Sequence, residues 1–173
     1  YDTSTPSDPP VIPGTEYNGS SFNIASENVS TGELTVSDSG TITDLNVTMS
    51  GTHGYNISYL DFKLISPYGT IVDLVLDGWS GASFYETTFD DEASNGISSG
   101  TTPYFGSFTP AGDLSDIDQE EMQGTWTLWV YNSSSSVGSV SEWSITVEYD
   151  TSTPSDPPVI PGTEYNGSSF NIA

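Results

Sequence analysis

Apolar and polar positions alternate along much of the chain. Leu60, Phe62 and Leu64 interleave with Tyr59, Asp61 and Lys63, and Val72, Leu74 and Leu76 with Asp73, Val75 and Asp77. Trp126, Leu128 and Val130 interleave with Thr127 and Trp129, and Trp143, Ile145, Val147 and Tyr149 with Ser144, Thr146 and Glu148. A period of two sends successive side chains to opposite faces, so each run predicts a strand with one buried face. Leu45, Val47 and Met49 follow the rule, but Ile42 is out of phase with them, and a bulge near Thr43–Asp44 restores the parity. Turn residues separate the runs, at Pro67-Tyr68-Gly69, Asp77-Gly78, Asn95-Gly96, Pro110-Ala111-Gly112 and Ser136-Val137-Gly138. No stretch has helical periodicity, although Asp116–Gln123 has room for one short turn. About eight strands in one unit predict an all-β sandwich of two sheets whose inward residues form the core.

The chain also repeats itself. Residues 1–25, YDTSTPSDPPVIPGTEYNGSSFNIA, recur without change as residues 149–173, a spacing of 148. The simplest organisation is a tandem array. It divides the chain into a Pro/Ser/Thr-rich linker (1–16), a sandwich (17–149), the repeated linker (150–164) and the first strand of the next unit (165–173). Pro6, Pro9, Pro10 and Pro13 favour extended polyproline geometry, so the linker spaces units semi-rigidly. Tyr17, Phe22 and Ile24, with Tyr165, Phe170 and Ile172 in the second copy, are the expected contacts between units, through addition or exchange of strands.

Charge narrows the function. The chain carries 24 acidic residues against one Lys or Arg and one His, a formal net charge of -23. Phosphate neutralisation needs clustered cations, so nucleic acid is excluded as a partner, and an anionic membrane surface is repelled. Cysteine is absent, which removes disulfides, thiolate nucleophiles and Cys-type zinc sites. No apolar run approaches the roughly 20 residues of a membrane helix, so membrane insertion is not expected. Aromatics at 12% supply a core, and Ser, Thr, Gly and Asn fill most of the remainder. This composition fits a secreted or cell-surface protein of a prokaryote.

Ordered blocks in the sandwich carry a resemblance. TITDLNVT (41–48), His53, LDFKLISPYGT (60–70), TFDDEA (88–93), PAGDL (110–114), GTWTL (124–128) and VSEWSI (140–145) resemble the P domain, or Homo B domain, of proprotein convertases. The likeness is greatest to its bacterial secreted copies and covers Phe22 to Tyr149. It implies a jelly-roll β-sandwich, found beside subtilisin-like catalytic domains or as a free-standing secreted module. It also implies calcium.

Calcium takes six to eight oxygen ligands. Asp90, Asp91 and Glu92 are the densest carboxylates and the expected ligands, with Asp61 from a neighbouring strand. A second acidic stretch, Asp113, Asp116, Asp118, Glu120 and Glu121, lacks the spacing of an EF-hand loop and is expected to be solvated. The turn from Asn132 to Gly138 carries no acid. His53 is the only imidazole, expected to be structural rather than the base of a Ser-His-Asp triad. Gly78-Trp79-Ser80-Gly81 departs from the nucleophile-elbow spacing. Trp79 is the chosen sugar-stacking residue, with Phe84, Tyr85 and Trp129 as further candidates, so a glycan joins calcium and neighbouring units of self as a candidate partner. Asn-x-Ser/Thr occurs at Asn18, Asn28, Asn46, Asn56, Asn132 and Asn166. The reading is a non-enzymatic, calcium-stabilised structural repeat of an extracellular fibre or surface protein. The alternatives are an adhesin or carbohydrate-binding module, or the accessory P domain of a secreted subtilisin-like protease.

Overall fold

The computed structural model describes residues 11–77 and 79–151. Among these, ten strands run in the order β1 (Val11–Gly19), β2 (Phe22–Ile24), β3 (Asn28–Val36), β4 (Thr41–His53), β5 (Leu60–Ile65), β6 (Ile71–Val75), β7 (Ser83–Phe89), β8 (Gly106–Phe108), β9 (Gly124–Asn132) and β10 (Gly138–Asp150). The connections hold short 3-10 turns at Ile57–Tyr59, Ile97–Ser99 and Leu114–Ile117, the last a few residues ahead of the turn the sequence predicts. One sheet has the order β1-β10-β4-β7-β8, with β2 also pairing β10; the other has the order β3-β9-β5-β6. Pairing is antiparallel except between β7 and β8. The all-β sandwich is therefore as the alternation predicts.

The inward residues of both sheets form one core. Phe62, Leu64, Trp126, Leu128, Ile145 and Val147 are fully buried. Phe62 meets Trp79 and Phe84 edge-on, with ring centroids 5.6 Å apart in each pair. Such offset contacts between large rings add to a core whose buried residues are mostly aliphatic.

Bulges set which residues face inward. Glu148 stands opposite Asp44 and Tyr149 opposite Ile42, so Thr43 is the extra residue. Ile42 and Leu45 are both buried as a result, while Thr43 is exposed. A second bulge escapes the alternation. Phe62 pairs with Val75 and Lys63 with Asp73, which makes Leu74 the extra residue of β6. Leu74 and Val75 are both buried, and Leu76, expected in the core, is 43% exposed beyond the strand end.

The sandwich begins earlier than the Pro-rich composition suggests. Val11–Glu16, read as linker, form the first part of β1, with Val11 opposite Asp150. Pro13 is tolerated because β1 is an edge strand, and the register shifts between Ile12 and Thr15, around Pro13-Gly14. Tyr17, Phe22 and Ile24, expected between units, pack on this domain's own core, and the Tyr17 hydroxyl donates to Asp38 at 2.7 Å. Desolvation and that carboxylate raise the Tyr17 pKa well above the ordinary tyrosine value. Tyr165, Phe170 and Ile172 lie outside the described residues.

Candidate functional site

The outer face of the six-stranded sheet is polar. Asn18, Ser144, Thr48, Thr88 and Ser107 lie in one row across five strands, by register. The Thr48 and Thr88 hydroxyls are hydrogen-bonded at 2.8 Å. This row crosses a groove of about 400 Å³, whose walls include Glu16, Glu86, Glu142 and Phe105. At its rim Tyr85 and Phe105 are stacked, 6.2 Å between centroids, and both are more than half exposed. Glu86 beside the Tyr85 hydroxyl raises its pKa. The groove holds hydrogen-bonding groups and an aromatic rim.

On the same face lies an acidic concavity of about 460 Å³, lined by Asp44, Asn46, Asp90, Asp91, Glu92, Asp118 and Glu148 among others. Asp44 and Glu148 are direct cross-strand partners, a like-charge pairing that destabilises a sheet. Burial first, then the charge of Glu148, raises the Asp44 pKa. Burial, then Asp44 and Asp91, raises Asp118. A hydrogen bond shared with Asp90 raises Glu92. Asp91 is otherwise engaged: its two oxygens accept the Leu114 N–H at 3.0 Å and the Ser115 N–H at 2.8 Å, tying the loop after β7 to the turn at Leu114–Ile117. Asp90 accepts the Glu92 N–H at 2.8 Å.

The donor atoms here are all oxygens, as calcium requires, and Asn46 Oδ1 is buried without a partner. The arrangement nevertheless does not fit a bound ion. Among the described residues no three acidic or histidine side chains stand close enough to hold one. Asp61 is not brought to this cluster at all. It lies on β5 in the other sheet, opposite Tyr131, where burial raises its pKa and Lys63 partly offsets this. Asp90, Asp91 and Glu92 come together, and the fold adds Asp44, Asp118 and Glu148, which the sequence reading missed. The alternation around the Thr43 bulge points Asp44 outward, but its pairing with Glu148 depends on a register that sequence does not reveal.

The remaining candidates divide by burial. Trp79 is buried, its indole N–H donating to the Leu60 carbonyl at 3.3 Å, because the loop between β6 and β7 closes over Phe62, Phe84 and Tyr104. It is no platform for a sugar, and neither is buried Phe84. Tyr85 is exposed, and Trp129 is half-buried on the outer face of the four-stranded sheet. There Trp129 stacks on Tyr131 at 6.5 Å, and Lys63 sits 5.5 Å from the Trp129 ring while bonding Asp73 at 2.7 Å. His53 is structural: Nδ1 accepts the Tyr55 and Asn56 N–H groups, and Nε2 lies 3.2 Å from the Ser136 carbonyl, to which it donates. Glu120 and Glu121, expected to be solvated, instead act as braces. Glu120 accepts from the hydroxyls of Ser66 and Thr70, and Glu121 accepts the Gly40 N–H at 2.7 Å.

In solved structures the same fold recurs. The chain is similar to a serine protease of Aeromonas sobria, at 16% identity and a TM-score of 0.50. It is similar also to that serine protease in complex with its chaperone ORF2, at 17% identity and a TM-score of 0.51. In each case 83% of this chain aligns with only 28% of the longer one. No curated protein matches the sequence. The family model of the proprotein convertase P-domain matches residues 42–147, from the start of β4 nearly to the end of β10. The chain belongs to the proprotein convertase P-domain family.

Proposed function

We propose that this chain is a non-catalytic accessory P domain of a secreted, extracellular serine protease. The observation that carries the reading is the family membership of the sandwich, joined to its likeness to one segment of a longer serine protease. The chemistry within the chain supports it. His53 has both ring nitrogens committed to backbone groups, and Lys63 is held by Asp73. A module of this kind works by packing against a catalytic domain.

A second reading, a structural repeat in an extracellular array, is favoured by the 25-residue identity at a spacing of 148. Peptide mapping of the native protein separates the two. Peptides of a subtilisin-like catalytic domain in the same polypeptide are expected. A polypeptide made only of further 148-residue units would overturn the protease reading and establish the array.

A further inference from the structure

The aromatic rim of the groove on the six-stranded sheet is held outward by its own backbone. Between the pairs Met49–Thr87 and Gly51–Phe84, two residues of β7, Tyr85 and Glu86, face the single Ser50 of β4. This bulge turns both side chains to the outer face, against the alternation, and both are exposed. Glu86 has a φ of 44°, and its N–H donates to the Ser50 hydroxyl at 2.9 Å. Phe105 is fixed by its neighbour Tyr104, which is buried with a φ of 54°. The Tyr104 hydroxyl accepts the Ser80 N–H at 2.7 Å, and its carbonyl accepts the Thr87 hydroxyl at 2.8 Å. Left-handed backbone at residues other than glycine persists only where the surroundings hold it. Here it leaves Phe105 66% exposed and stacked on Tyr85. We propose that this groove binds an extended peptide segment bearing arginine or lysine side chains.

Charge selects the occupant. Glu16, Glu86 and Glu142 line the groove, and no cationic side chain does. The charges of Glu86 and Glu142 both reach the Tyr85 hydroxyl, so carboxylates surround the stacked rings. Lys63 cannot answer them, because it bonds Asp73 in the other sheet. A guanidinium or ammonium laid on the rings gains the attraction of their faces and charge-assisted hydrogen bonds to the glutamates. An anionic segment is repelled. The floor supplies an independent sign. Ser144 is 4% exposed and opens on the groove, and its hydroxyl hydrogen-bonds none of the described residues. The next hydroxyls in the row, Thr48 and Thr88, satisfy each other. A buried hydroxyl without a partner is costly, and an N–H of a bound segment donates to it. The row crosses five strands. Four interstrand spacings are roughly 19 Å, which about six residues of extended chain span. The groove is complete within this chain, so a peptide docks there whether or not a protease domain accompanies it.

Calorimetric titration of the full chain with acetylated, amidated hexa-arginine tests this, in about 0.15 M salt to screen diffuse attraction. Saturable binding is expected. Phe105→Ala, which changes no charge, should weaken it about tenfold. Glu86→Gln with Glu142→Gln should weaken it further. Glu27→Gln with Glu33→Gln removes the same charge outside the groove and should leave the affinity unchanged. Ser144→Ala should lower the affinity severalfold without lowering the melting temperature, because the free protein loses no hydrogen bond. Three results overturn the proposal. The first is no saturable binding. The second is equal weakening by both glutamate pairs with Phe105→Ala silent, which is attraction to the net charge of -23 and not to a site. The third is Phe105-dependent binding of maltohexaose tighter than that of hexa-arginine, which makes the groove a sugar site.

Discussion

The two outer faces of the sandwich solve the same problem with opposite chemistry. On the six-stranded sheet the exposed rows are hydroxyls and amides flanked by carboxylates, and Asp44 and Glu148 are left opposite each other. On the four-stranded sheet Thr31, Trp129, Lys63 and Asp73 form one row by register, and the only Lys or Arg of the chain is spent there. In a chain of net charge -23, one cation is placed where an aromatic ring and a carboxylate both hold it. One face is therefore held together by its ion pair and stacked rings, whereas the other keeps its like charges unrelieved.

Four measurements sharpen or break this contrast. Trp129→Ala removes the ring under Lys63 and beside Tyr131, and is expected to cost about 2 kcal/mol in urea unfolding; a neutral result would leave the cohesive face without its centre. Lys63→Ala is expected to cost about 1 kcal/mol at neutral pH, because the pair is partly exposed. That loss should shrink as salt is added, because a partly exposed ion pair is screened, and a loss that persists at high salt assigns the effect to packing.

On the acidic face the sign reverses. Asp44, Glu92 and Asp118 have raised pKa values, so the folded state holds their protons more tightly than the unfolded state. The stability they contribute is full below the ordinary carboxylate value of about 4 and is lost as pH rises through the raised values. Asp44→Asn should therefore raise the melting temperature slightly at neutral pH and leave it unchanged in acid. A destabilised variant at neutral pH would mean that the charge itself serves the fold. The smallest expected effect is ionic: equal concentrations of magnesium and calcium should raise the melting temperature alike, by relieving repulsion. A preference for calcium would show that the side chains rearrange to form a specific site.

The fold was legible where a single strand carries its own signal. The alternation at Leu60–Leu64 and Trp143–Tyr149 places the core, and the broken parity of Ile42 locates the Thr43 bulge. The Leu74 bulge was not legible, because Val75 and Leu76 are both apolar and either phase reads as a strand. Proline content concealed the start of β1, since only an edge position makes Pro13 compatible with a strand. The candidate site was legible only in its contiguous part, Asp90 to Glu92. Asp44, Asp118 and Glu148 join it through pairing across strands and loop packing, and Asp61 leaves it because β5 belongs to the other sheet. Trp79 lies in a Gly/Ser-rich loop that reads as exposed, yet three aromatic rings from other elements surround it.

The pairing of Val11 with Asp150 sets how the domain answers a pull. The polypeptide enters and leaves at neighbouring points on one end of the sheet, through adjacent antiparallel strands. Tension applied at residues 11 and 150 opens the β1–β10 ladder from that end, rupturing its bonds in sequence instead of loading them together. The outermost strand therefore peels away at low force while the aromatic interior stays closed, and it can zip back when the load drops.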